Sequence, residues 1–302
     1  MTFKDSLTNN IFQKSWWLEA VAPGQWSYIE IEKGGEIFAR MPIVTQKKFG
    51  QTICSMPKFT QVLGPWIKQL PGKEASQLSK QKELFTELIK RIPTNIYFKQ
   101  RFHYSITNWL PFYWNNFEQT TRYTYVLEDI SDTDVIWKEM QGNIRREIKK
   151  ARKNIVTELS EDIKIMWDLH CNNFQNNNPP EGSISDFERL YTICKENNAG
   201  QILLARNSDN TIVSGVFVVW DENSAYYIFG GTLDHFKNTG AFSLLMFDAI
   251  SFLSDKTPSF DFEGSMIESI ERFYRGFGAS QKPYFHITKT NKIINTVRAL
   301  LS

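Results

Sequence analysis

Apolar and polar residues alternate along Trp26-Ser-Tyr-Ile-Glu-Ile-Glu32, and the chain then turns at Lys33-Gly-Gly35. With 36–45 returning, this spacing predicts a β-hairpin. Residues 49–70 show no period and carry the loop marker Gly64-Pro65-Trp66. From 74 to 91 the apolar positions Leu78, Leu84, Phe85, Leu88 and Ile89 recur at helical spacing, which predicts a helix with one buried face. Strands are expected at 95–99 and 121–127. The second half predicts helices at 134–153, 161–177 and 185–197, with a break at Asn176-Asn-Asn-Pro-Pro180. Strands follow at 201–206, 212–221 and 225–231, the first two joined across Asn207-Ser-Asp-Asn210. A helix at 240–254, a strand at 259–263, a helix at 267–276, a strand at 283–289 and a terminal helix complete the pattern.

The two halves share one order: hairpin, aromatic strand or loop, helix, strand, irregular step, strand. Phe112-Tyr-Trp-Asn-Asn-Phe117 aligns with Phe273-Tyr-Arg-Gly-Phe277, an offset of 273 − 112 = 161, and each is followed by a strand. This predicts a duplicated fold of class α/β (α+β), with halves at 1–128 and 129–302. A chain of 302 residues that is 41% hydrophobic can bury one large core or two ordinary ones, which suits that division.

Charge changes the picture little. Thirty-five Lys+Arg against 33 Asp+Glu leave +2, so any nucleic-acid partner needs a local basic patch. No run approaches the ~20 apolar residues of a membrane span, and Met1 to Asn10 is polar, so a cytoplasmic location is expected. Cys54, Cys171 and Cys194 form no paired motif and are expected to be reduced thiols. His103, His170, His235 and His286 show no ligand spacing, so no metal is expected.

The chemistry concentrates in residues 260–278. Asp261 and Glu263 sit two apart on an expected strand, so both are expected on one face, where one could act as general base towards an amine. The alternative is structural: both carboxylates cap the N–H groups of Ser265, Met266 and Ile267, or pair with Arg272 and Arg275. Tyr274 can donate a hydrogen bond to a developing oxyanion or to a leaving group, or it can serve as a core aromatic. Tyr227, with Trp109, Tyr113, Trp114 and Tyr226, could floor a sugar site or belong to the core. Upstream, Arg145-Arg-Glu-Ile-Lys-Lys-Ala-Arg-Lys153 places Arg145, Lys149 and Arg152 along one helix face and Arg146, Lys150 and Lys153 along another. This run suits a phosphate, or a solvated helix face. Lys237-Asn-Thr-Gly-Ala241 leads into a helix whose N-terminus could receive an anion, or could simply be capped by Asn238 or Thr239.

Asp261-Phe-Glu-Gly-Ser265, followed by a short helix and Phe273-Tyr-Arg-Gly-Phe-Gly278, resembles the C-terminal signature of the Fem-like branch of the GNAT acyltransferases, which reads D-F-x-G-S, helix, F-K-x-x-F-G. Arg145 to Lys153 is similar to that family's R-x-x-I-x-K-A-x-K step. The resemblance implies two tandem GNAT-like units, each a mixed, mostly antiparallel sheet flanked by helices. It implies transfer of an acyl or aminoacyl group to an amine of an amino sugar or cell-envelope precursor, by direct attack. In that scheme Glu263, Tyr274 and Asp261 are the catalytic candidates. Arg145, Arg146, Lys149, Arg275 and Tyr227 would bind a phosphate-bearing sugar or peptidoglycan-type acceptor. Lys237, Gly240 and Ala241 would hold the pyrophosphate of acyl-CoA, with Phe242 where the family has a small residue. Tyr274 replaces the family's lysine, and the long helical-hairpin insertion of several members is missing. Both departures favour acyl-CoA over aminoacyl-tRNA, which stays the alternative donor. A third reading is an inactive member binding a sugar phosphate or RNA. The active centre is expected in the second half, facing a cleft between the two.

Overall fold

The computed structural model describes residues 4–48, 51–94, 97–174, 179–264 and 266–290. The chain forms two compact units, one running to Arg122 and resuming at Pro283, the other Tyr123–Lys282. In the first unit the elements are α1 (Ser15–Val21), β1 (Trp26–Lys33), β2 (Glu36–Lys48), β3 (Gln51–Cys54), β4 (Trp66–Ile67), α2 (Glu74–Arg91), β5 (Tyr97–Arg101) and α3 (Leu110–Trp114). The chain passes into the second unit within β6 (Glu118–Leu127). There follow α4 (Thr133–Glu139), α5 (Gly142–Ala151), β7 (Ile155–Ser160), α6 (Ile163–Cys171), α7 (Ile184–Glu196), β8 (Gly200–Asn207), β9 (Ile212–Trp220) and β10 (Ala225–Thr232). Then come α8 (Ala241–Leu253), β11 (Phe260–Asp261), α9 (Glu268–Gly276) and β12 (Ser280–Lys289), within which the chain returns to the first unit.

In the first unit β1, β2 and β3 pair antiparallel, β3 and β5 parallel, and β5 and β12 antiparallel. Helix α2 buries Leu84, Phe85, Leu88 and Ile89 in a core shared with Phe98, Phe102, Phe112 and Ile287. In the second unit β7, β8, β9 and β10 run antiparallel, β10 and β11 parallel, and β11 and β6 antiparallel. Helices α5 and α8 share its main core with β8, β9 and β10, and Trp167, Phe187, Phe217 and Phe229 form an aromatic cluster contributed by α6, α7, β9 and β10.

The duplication is real and has an exchange built in. Apart from the two-residue β4, the order β1-β2-β3-α2-β5-α3-β6 recurs as β8-β9-β10-α8-β11-α9-β12. The last strand of each repeat pairs in the sheet of the other: Leu127 of β6 opposes Phe260 of β11, and Ile287 of β12 opposes Gln100 of β5.

Several expectations need correcting. The helix expected at 134–153 is two helices, because Met140 and Gln141 are extended and the Gln141 N–H donates to the Gly276 carbonyl instead of continuing α4. Strand β7 escaped notice because Val156 and Leu159 are exposed, so no buried alternation marks it. Residues 49–70 contain the short strands β3 and β4. The strand expected at 259–263 stops at Asp261, and the helix expected at 161–177 stops at Cys171. The expected terminal helix falls outside the described residues.

Because β12 completes the first unit's core, Ile287→Ala is expected to cost about 2–4 kcal/mol in chemical denaturation. Val156→Ala, at a 71% exposed position, should stay within about 0.5 kcal/mol. Equal costs for the two would contradict this account.

Candidate active site

Strands β10 and β11 pair over only two positions, Ala225 with Phe260 and Tyr226 with Asp261. Beyond them β11 ends, because Glu263 and Gly264 both adopt left-handed backbone, with φ of 62° and 59°. A side chain at Gly264 would put its Cβ 2.1 Å from the Tyr123 carbonyl oxygen, so only glycine fits. On the other side β10 carries a bulge between Tyr227 and Phe229 in its pairing with β9.

Asp261 holds this turn. Its buried carboxylate accepts hydrogen bonds from the Thr124 hydroxyl and, at 2.8 Å, from the Glu263 N–H. Burial raises its pKa from 3.8 to about 6 against the lowering effect of those two bonds. Glu263 follows at 8% exposure. The alternation expected of a strand does not reach Glu263, since the left-handed turn intervenes. The expected pairing with Arg272 and Arg275 is not made either. Arg272 pairs with Glu268 at 3.1 Å and Arg275 with Glu271 at 2.8 Å, each one helical turn back on α9. Ser265, the first expected cap donor, lies outside the described residues.

Helix α9 brings Tyr274 to the same place. Its ring stacks on Phe262 at 5.0 Å and lies 6.4 Å from Tyr227. Burial, then the charge of Glu263, then that of Asp261, push its hydroxyl well above the usual phenol range, so it stays protonated. Burial and the neighbouring Tyr274 act on Tyr227 in the same direction. Asp261, Glu263, Tyr274 and Tyr227 therefore form one cluster, in which two acids and two phenolic donors share a desolvated space. Phe242 packs between Tyr227 (6.1 Å) and Phe273 (5.5 Å). Helix α9 is fastened from below: Tyr125 donates to Glu271 at 2.7 Å and accepts from Gln281 at 2.5 Å.

The turn into α8 is covered. Gly240 has φ 81°, and a Cβ there would lie 2.5 Å from the Glu147 carbonyl oxygen of α5. Ser243 in the first turn donates to the Glu147 carboxylate at 2.6 Å, and Lys150 donates to the Asn238 carbonyl at 3.1 Å. Thr239 accepts from the Ala241 N–H at 3.3 Å, Ala241 is buried, and Lys237 pairs with Asp234 at 2.7 Å. The helix end thus already faces a carboxylate, which suits its positive dipole.

The basic run is largely engaged locally. Arg145 donates to the Trp137 and Lys138 carbonyls at 3.5 and 3.3 Å, Lys149 lies 5.8 Å from the Trp137 ring, and Arg152 pairs with Asp248 at 3.3 Å. Arg146 is exposed. Among the described residues no group of three His, Cys, Asp or Glu side chains could hold a metal ion. Three residues escaped sequence reasoning: Thr124, Tyr125 and Glu147. Nothing in the local pattern of β6 or α5 marks a partner more than 90 positions away.

Residues 138–266, within the second unit, match the acetyltransferase (GNAT) domain family. The fold of the whole chain is similar to the crystal structure of FemX, with 12% identity, 94% of this chain and 96% of that chain covered, and a TM-score of 0.69. Residues 138–266 thus carry the sequence pattern of a GNAT acetyltransferase domain, and the likeness to FemX is one of fold. Two further solved structures are similar to this chain in fold. One is the C-terminal domain of a putative lysylphosphatidylglycerol synthetase from Agrobacterium fabrum, at 12% identity, 92% and 88% coverage and TM-score 0.55. The other is a tandem GNAT protein from the clavulanic acid biosynthesis pathway, at 7% identity, 90% and 93% coverage and TM-score 0.50. No curated protein sequence matches significantly. No helix among the described residues is long and apolar enough to cross a membrane.

The raised pKa of Asp261 has a measurable sign. The folded protein holds this proton more tightly than the unfolded chain, so stability falls as pH rises from about 4 to about 6 and then levels. Asp261→Asn keeps an acceptor for Thr124 and Glu263. It should remove a loss on the order of 1–3 kcal/mol from the denaturation free energy across that window. An unchanged pH slope in the variant would count against a buried, titrating Asp261.

Proposed function

We propose that this protein is an acyltransferase that moves an acyl or aminoacyl group onto an amine of an amino sugar or cell-envelope precursor, with the chemistry at Glu263 and Tyr274. The observation that carries this reading is the juxtaposition of a nearly buried carboxylate with a phenol held protonated. The acceptor nitrogen attacks the donor carbonyl, the new C–N bond forms as the C–O or C–S bond breaks, Glu263 takes the amine proton, and Tyr274 donates to the departing atom. Asp261 acts by fixing the backbone that aims Glu263. Tyr227 borders the same cluster, while Arg145, Arg146 and Lys149 from α5 and Arg275 from α9 are proposed to meet acceptor phosphate.

For the donor we favour an aminoacyl ester, as of tRNA, over the acyl-CoA that the sequence departures favour. What supports it is Glu147: a carboxylate and the α5 backbone occupy the α8 N-terminus, where a CoA pyrophosphate would need room and positive potential. Gly240 and Ala241 are then helix-packing residues, and Lys237 is a surface partner of Asp234. Acyl-CoA remains the second reading, supported by the acetyltransferase description of the matching domain family.

Glu263→Gln is expected to lower kcat by about 10²–10⁴-fold with little change in KM, and Tyr274→Phe to lower it likewise. No turnover in the wild type, with ligand affinity that depends on Arg145 and Arg146 and is indifferent to Glu263, would favour a catalytically inactive binding protein. Thermal unfolding provides the donor test. Aminoacyl-tRNA at a hundredfold excess over its Kd should stabilise the protein by about 2.7 kcal/mol, and acetyl-CoA should not. Stabilisation by CoA species alone would reverse the donor assignment.

A further inference from the structure

The first unit contains a cluster of positive charge for which the acyl-transfer site has no use. His286 opposes Arg101, and Thr288 opposes Lys99, across the β5–β12 ladder. Cross-strand partners share a face of the sheet, so Lys99, Arg101 and His286 stand side by side. Phe98, Gln100 and Ile287 point the other way and are fully buried. Arg122, in the same unit, is close enough for its charge to act on the His286 ring. All four side chains are partly buried.

No carboxylate among the described residues compensates them. Arg101 donates to two neutral acceptors, Gln61 Oε1 at 3.2 Å and the Thr60 carbonyl at 3.3 Å. The ion pairs seen in this unit engage Lys33, Arg40, Lys68 and Lys90 instead. His286 Nε2 is buried without a hydrogen-bond partner among the described residues. Three partly desolvated like charges around an unsatisfied ring nitrogen raise the energy of the empty fold, and an anion would reverse that. Guanidinium forks, an ammonium and an imidazole N–H match the tetrahedral oxygens of a phosphoryl group.

We propose that Lys99, Arg101, Arg122 and His286 form a binding site for a phosphate or diphosphate group on this sheet face, separate from the basic helix α5. Burial first, and then the charges of Arg122, Lys99 and Arg101, lower the His286 pKa to about 4, so near neutral pH the ring is an uncharged donor beside three fixed cations. The assignment goes beyond the acyl-transfer reading and does not depend on the donor.

Titration of the full chain with inorganic pyrophosphate in a calorimeter tests it. Saturable binding is expected, weakened about tenfold or more by Lys99→Gln and by Arg122→Gln, and retained in Lys99→Arg. Unaltered affinity in both neutralised variants, or no saturation in the wild type, would overturn the site. A second measurement needs no variant. Pyrophosphate should slow modification of Lys99 by an amine-acylating reagent while leaving exposed Lys80 unaffected. Equal Lys99 labelling with and without pyrophosphate would overturn it too.

Discussion

A single buried carboxylate organises the second unit. Asp261 gives up water and in return receives the Thr124 hydroxyl from β6 and the N–H of Glu263 from its own turn. A charge placed so deep persists only with such donors. Those two bonds tie the strand exchanged from the first repeat to the point where β11 stops. They also hold Glu263 in a left-handed conformation that a non-glycine residue otherwise avoids. Strain of that kind needs surroundings that over-determine it. Gly264 against the Tyr123 carbonyl supplies the second constraint, and the stack of Tyr274 on Phe262 the third.

Helix ends decide the rest of the site. The positive end of α8 is an obvious place for an anion, and the protein supplies its own in Glu147. The cations of α5 follow the same economy: several bond carbonyls, a ring or a neighbouring aspartate instead of pointing freely outward. Charge that looks like a ligand patch along the chain is thus partly structural. The opposite holds in the first unit, where Lys99, Arg101 and Arg122 are scattered in sequence and meet only across strands.

The regular elements were legible wherever one face is buried and the other is not. Helix α2 matches its expected bounds, because Leu84, Phe85, Leu88 and Ile89 mark its core side. Strands β8, β9 and β10 were readable from near-continuous apolar runs. Strand β7 was not, since its exposed Val156 and Leu159 blur the alternation. The break at Met140–Gln141 was hidden as well, because a contact with the Gly276 carbonyl interrupts the helix, and no local residue does.

The chain by itself determined the duplication and the glycines that turns require. Each of these follows from short-range spacing, which backbone geometry converts directly into faces and turns. Tertiary structure alone decided that β6 and β12 change places, that Thr124 serves Asp261, and that Glu147 covers the start of α8. Those outcomes join residues far apart in sequence, and their energies come from burial and hydrogen bonding that exist only once the strands have met.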